Sequence, residues 1–265
     1  MKSGFTPTRI AALVIGFGFL YLPIALLVIH SFNESQLVTV WGGFSLRWYR
    51  AVLHNDALLE ATLTSVKIAA LAASIALILG TLSGLALARF TDLRGRPILT
   101  GLVYTPLVLP EVILGLSLLL LFVELDWDRG FWTVVLAHAT FGSAYVAIIV
   151  NSRLIGFDRS LEEAAQDLGA PPARTFLLVT LPIIAPSLLA AWLLAFTLSL
   201  DDLVIASFTT GPGATTLPMK IYSQARLGVT PEINAIGSVL IALVGVALII
   251  ASLIQKRRLG TSGRA

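Results

Sequence analysis

Six long apolar runs, at about residues 10–29, 63–88, 98–123, 131–150, 183–207 and 233–254, constrain this chain more than any other feature. A helix needs roughly 20 consecutive apolar residues to cross the hydrocarbon core of a bilayer, and each run has that length. Composition agrees: 57% of the residues are hydrophobic and 12% charged, against about 25% charged in soluble domains. No intervening segment is both long enough and polar enough to form a soluble domain. The expected fold class is therefore an all-α integral membrane protein, one transmembrane domain over 1–265 with six transmembrane helices. The absence of cysteine excludes disulfides and thiolate metal sites.

The first run reads as a retained span. Its apolar core is too long for a signal-peptide h-region, and no small-x-small cleavage site follows. Trp41, Phe44, Trp48 and Tyr49 in the next loop suit a membrane–water interface, and Ser45 precedes a short helix over 46–53. Asn55 or Asp56 is placed to cap the second span. That span is rich in Ala and Gly, with Gly80 and Gly84 in close-packing spacing. Pro106 and Pro110 interrupt the third span, and Glu111 follows directly. Thr230-Pro231-Glu232 reads as N-cap, first-turn proline and acidic first turn of the last span. Twelve of the 18 Lys and Arg residues (2, 9, 89, 94, 96, 153, 159, 174, 256, 257, 258 and 264) lie on the side of the termini. The positive-inside rule then places both termini, and the loop 151–182, in the cytoplasm.

That loop is the most informative polar stretch. Ser160 and Glu163 have capping-box spacing, Gly169 suits a left-handed C′ position, and Pro171-Pro172 opens a second short helix. The second helix is apolar along Phe176, Leu177, Leu178 and Leu181, and Pro182 is expected to interrupt it before the fifth span.

Three acids stand in otherwise apolar spans: Glu111, Asp201 and Asp202. A charged residue at mid-span costs about 2.5–3.5 kcal/mol on insertion scales, so such residues line a cavity or pair. A carboxylate set attracts a cationic solute. The ordinary alternative for Asp202 is an interfacial cap or a pair with Lys220 or Arg226, and for His138 a packed helix contact. No G-x4-G-K-[ST] or H-E-x-x-H pattern is present, so nucleotide hydrolysis and metal chemistry are not expected of this chain.

The spacing Glu163-Ala164-Ala165, three residues, Gly169, nine residues, Val179, one residue, Leu181-Pro182 resembles the EAA loop of ABC-importer permeases, with Val for the family's Ile. The resemblance implies a type I importer permease fold, and a coupling role for Glu163, Ala164, Ala165, Gly169, Leu181 and Pro182 against a cytoplasmic ATPase. S-L-D-D-L-V-I-A-S-F from Ser199, then G-P-G-A-T-T-L-P and T-P-E-I-N, is similar to the permeases of polyamine importers, as are S-F-N-E-S from Ser31 and G-F-S-L-R-W-Y from Gly43. That similarity leans toward the smaller permease of putrescine systems, with spermidine or another small solute as the alternative. It implies a bacterial inner-membrane complex: this chain, a second homologous permease, two copies of an ATP-binding subunit that hold ATP and magnesium, and a periplasmic polyamine-binding protein. The chain would then be a non-enzymatic, multi-pass subunit with lipid around it, no cofactor or metal of its own and no nucleic-acid partner. A membrane-embedded enzyme would need a nucleophile–base pair, and none is evident. A passive channel would conduct without an ATPase.

Overall fold

A computed structural model describes residues 7–37, 40–90, 92, 94–227 and 231–262. Thr230, expected to cap the last span, lies outside them, as do Lys2, Arg264 and the side chains of Arg9, Lys256, Arg257 and Arg258. The described residues are helical apart from short loops and one isolated bridge between Asn33 and Phe44. In order, the helices are α1 (Pro7–His30), α2 (Arg47–Leu53), α3 (Asp56–Arg89), α4 (Arg96–Val108), α5 (Glu111–Glu124), α6 (Phe131–Ile155), α7 (Ser160–Asp167) and α8 (Pro172–Thr175). A π-helical turn (Phe176–Thr180) leads into α9 (Leu181–Leu200), followed by α10 (Val204–Thr209), α11 (Leu217–Leu227) and α12 (Pro231–Ser262). Four helical stretches are long and apolar enough to cross a bilayer, five if the bent pair α4–α5 counts as one. The described apolar part of α12 is Pro231–Val246.

The chain divides into two compact units, Met1–Leu59 with Ile221–Ala247, and Glu60–Lys220 with Leu248–Ala265. In the first, the loop after α1 is organised by Asn33. Its Nδ2 donates to the Val40 carbonyl, its Oδ1 accepts the Gly42 N–H at 2.8 Å, and its own carbonyl accepts the indole N–H of Trp48. Phe32 stacks on Phe44, and Ser31 shares a hydrogen bond with Tyr49. The two aromatic motifs of the sequence are thus halves of one folded loop. Ser45 Oγ accepts the Arg47 N–H at the start of α2, and Asn55 Oδ1 accepts the Leu58 N–H at the start of α3.

The second unit is built around α6, whose residues are buried on nearly every face. Ala73 and Ala76 of α3 and Ala191 and Ala195 of α9 pack on Val146 and Val150 of α6. Small residues let these backbones approach closely. A Cβ on Gly80 would lie 2.5 Å from Val146 Cβ, and one on Gly84 2.7 Å from the Ala147 carbonyl oxygen, so only glycine fits this α3–α6 crossing.

Two expected spans differ from their expected form. The third is not one helix: α4 and α5 meet at 115°. Leu109 is extended at ψ 136°, as a residue before proline prefers, and Pro110 has no N–H to continue the ladder. The fifth begins earlier, because Pro182 does not interrupt it and Pro172–Leu200 is one continuous helical stretch. Proline is tolerated in a first helical turn, and the π-helical register just before Pro182 accommodates its missing donor. The same span also ends earlier, at Leu200 rather than 207, because Asp202 diverts a backbone N–H to its side chain.

Candidate functional site

Two places in the second unit gather the polar residues singled out by sequence. The first is the elbow α7–α8. Its start differs from the expected capping box: Arg159 stands at the N-cap in helical conformation with no side-chain cap, and Asp158 Oδ1 accepts the Ser160 N–H at 3.0 Å. Ser160 is therefore inside the helix, and Asp158 supplies the cap oxygen two residues earlier. The hydrogen bonds from Ser160 hold the Asp158 carboxyl below its ordinary range. The end of α7 is as expected. Gly169 has φ +86°, its N–H bonds the Gln166 carbonyl, and the Ala170 N–H reaches the Ala165 carbonyl at 3.0 Å. That pair of bonds is a Schellman closure.

Glu163, Ala164, Gln166 and Asp167 are exposed on this elbow, and so are Leu161 and Leu168, the latter 91% accessible. An apolar side chain that open beside a short polar helix has no covering partner among the described residues. The inner side of the elbow is tied down. Arg89 at the end of α3 pairs with Glu162 at 2.8 Å, and the Thr180 hydroxyl donates to the same carboxylate oxygen. Arg89 also lies over the Phe157 ring at 5.5 Å. Leu85, Phe90, Gln166 and Phe176 join these polar groups around a pocket of about 270 Å³. Sequence reading did not single out this tie, because Arg89 and Glu162 are 73 residues apart. The only local signal is an additional acid next to Glu163.

The second place is the break between α9 and α10. Asp202 Oδ1 accepts the Ala206 N–H at 2.8 Å and so caps α10. The same oxygen lies 3.2 Å from His138 Nε2, and the two side chains are 7% and 2% exposed. The other imidazole nitrogen, Nδ1, is 2.7 Å from Ser199 Oγ. Nδ1 shares a hydrogen bond with the Ser199 hydroxyl, while Nε2 lies within ion-pair distance of Asp202 without hydrogen-bond alignment. The ring thus bridges the last turn of α9 and the first of α10, on either side of Asp201. Asp202 pairs with this histidine rather than with Lys220 or Arg226. Asp201 itself is exposed, as is Glu111 at the start of α5. α5 packs on α10, which brings Glu111, remote in sequence, toward the adjacent pair Asp201 and Asp202. Two are open and one is locked. Burial against α5 and α6 fixes the arrangement through Leu114, Ala137, Phe141 and Ile205.

Residues 76–259 match the family described as the binding-protein-dependent transport system inner membrane component. The putrescine transport system permease protein PotI of Escherichia coli K12 is 54% identical over 258 residues, covering 95% of this chain and 92% of the relative. The spermidine/putrescine transport system permease protein PotC of the same organism is 40% identical over 240 residues, covering 91% and 90%. Among solved structures, a bacterial ABC transporter involved in import of the acidic polysaccharide alginate superposes with a TM-score of 0.67 at 16% identity, covering 97% of this chain and 98% of that one. The alginate transporter in complex with a pentasaccharide-bound periplasmic protein gives a TM-score of 0.73 at 14% identity, covering 94% and 93%. At those identities the structures speak for the fold alone, and the fold is that of an ABC-importer permease. With the family match spanning most of its length and several apolar helices to hold it in the bilayer, this chain belongs to the inner-membrane permease components of binding-protein-dependent ABC importers.

Proposed function

We propose that this chain is one of two non-identical permeases of a polyamine importer, that its solute is putrescine, and that it works by alternating access driven by a separate ATPase. The 54% identity to PotI over 95% of the chain carries the choice of solute. In this reading ATP and magnesium sit in two copies of a cytoplasmic ATP-binding subunit, and this chain contributes no cofactor and no catalytic group. Closure of the ATPase dimer moves the α7 elbow, presented through Glu163, Ala164, Ala165 and Gly169 and continued by Leu181 and Pro182. The spans then open toward a periplasmic binding protein. Six spans with both termini cytoplasmic put the elbow on the ATPase side, in agreement with the positive-inside count.

Glu111 and Asp201, with Asp202 locked behind them, form the cation route. A diamine leaving its binding protein loses hydration around two ammonium groups. Open carboxylates replace that hydration with charge-assisted hydrogen bonds, and they hold the cation loosely enough to release it. The 40% identity to a spermidine/putrescine permease favours spermidine as the second reading. Uptake of labelled putrescine by cells carrying this chain with the rest of its system, competed with unlabelled spermidine, separates the two. Putrescine is expected to be taken up and to be displaced only weakly by spermidine. Equal competition, or uptake of neither amine, contradicts the assignment.

A further inference from the structure

We infer that Arg89 and Glu162 are the positioning residues through which the α7 elbow drives the spans; this rests on the coupling role just proposed. An elbow that docks on a moving partner does work on the membrane helices only if it is joined to them by something stiffer than its loops. At its C-terminal end α7 leaves through the exposed Gly169, the half-buried Ala170 and the exposed Pro171. At its N-terminal end it follows the exposed Gly156 and Asp158 after α6. The stiff connections are lateral. One carboxylate oxygen of Glu162 takes both the Arg89 guanidinium, at 2.8 Å, and the Thr180 hydroxyl. Arg89 is the last residue of α3, and Thr180 immediately precedes α9.

A single carboxylate therefore ties the elbow to the ends of two spans. A further guanidinium, that of Arg159, reaches the Ala88 carbonyl at 3.4 Å beside the same joint. The Arg89 and Glu162 side chains are 14% and 18% exposed. Partial burial makes such a pair sensitive to loss of one partner, because the remaining charge stays uncompensated. It also fixes direction, since guanidinium and carboxylate meet in a defined geometry. Phe157 under the guanidinium and Phe176 beside the pocket keep water from loosening the pair. The elbow's outward face, with Glu163 and Leu168, remains free for the partner while its inward face is anchored. α3 and α9 both pack on α6, so displacement at this joint reaches the helices that carry His138 and Ser199.

The test is the amount of solute moved per ATP hydrolysed by the assembled transporter in liposomes, with binding protein and solute present. Glu162→Ala is expected to assemble and hydrolyse ATP while the ratio falls about fivefold, the low end of ordinary coupling effects. Glu162→Gln, which still accepts from both partners but leaves the guanidinium uncompensated, is expected to fall between Glu162→Ala and the wild type. The exchange Arg89→Glu with Glu162→Arg is expected to recover part of what either single change loses. A Glu162→Ala transporter with the wild-type ratio overturns the inference. Should Glu162→Ala fail to assemble, Thr180→Val, which removes one tie and leaves the ion pair, decides: a lowered ratio upholds the joint and an unchanged ratio overturns it. A wild-type complex that moves no polyamine would instead contradict the proposed solute, and the ratio would be read with whichever solute stimulates its ATPase.

Discussion

At the scale of single residues, the acids separate by environment. Asp201 and Glu111 are open, whereas Asp202 is buried against His138 and caps α10. Asp201→Asn keeps shape and removes charge, so it is expected to cut putrescine uptake severalfold while the melting temperature of the purified complex stays unchanged. Asp202→Leu and His138→Phe are expected to act differently. The first leaves the Ala206 N–H and the second the Ser199 hydroxyl without its partner, at about 1–3 kcal/mol, and both are expected to lower the melting temperature as well as uptake. If Asp202→Leu melts like the wild type, Asp202 is not the lock described here. Much of this group was legible in sequence, since charged residues in apolar runs announce themselves. What was not legible is which acid is open. Asp201 and Asp202 are adjacent and chemically alike. The difference comes from His138 and Ser199, 61 residues apart, whose meeting depends on how α6 and α9 pack.

At the scale of elements, the conformation of Gly169 and the small surface of α3 are the sharpest constraints. Gly169 has φ +86° and open space where a Cβ would project, so its requirement is conformational rather than steric. Gly169→Asn is expected to be tolerated, because asparagine enters the left-handed region readily. Gly169→Val is expected to cost about 1–2 kcal/mol at the turn and to weaken recovery of the ATPase with the tagged chain, while membrane insertion survives. Equal recovery for both variants would contradict the elbow. Gly80 is the opposite case, limited by space. Gly80→Ala places a methyl 2.5 Å from Val146 Cβ and is expected to destabilise the α3–α6 packing by roughly 1–3 kcal/mol, as overpacking does, seen as a lower melting temperature in detergent.

Proline shows what sequence can and cannot give at this scale. Pro110 follows the extended Leu109 and stands at the N-cap of α5, whereas Pro182 follows a π-helical turn at the start of α9 and is absorbed. The two are alike in sequence and differ in helix register, which depends on where each helix starts. The capping box misled in a similar way. Ser160 and Glu163 have the right spacing, but Asp158 takes the Ser160 N–H first and moves the cap upstream. That bond holds the Asp158 carboxyl below its ordinary range. Its contribution to the elbow is therefore full above the unfolded pKa and lost only as pH falls through the lower folded value, so mild acidification leaves α7 in place.

At the scale of the whole molecule, the proposed function is that of a helical permease whose elbow, placed on the cytoplasmic side, is coupled to an acidic break in its spans. The proposed topology is checked by single cysteines, which the natural chain lacks. Ser35→Cys and Glu124→Cys are expected to react with an impermeant thiol reagent in intact cells, and Arg94→Cys and Gln166→Cys only after the membrane is opened. The central claim is energetic, and one measurement addresses it most directly: putrescine accumulation in liposomes holding the complete complex, with its binding protein on one side and ATP on the other. The account predicts accumulation against a gradient that requires hydrolysable ATP and is reduced severalfold in the Asp201→Asn complex although ATP is still consumed. Accumulation that needs no ATP, or downhill flux through this chain without its ATPase, would contradict it.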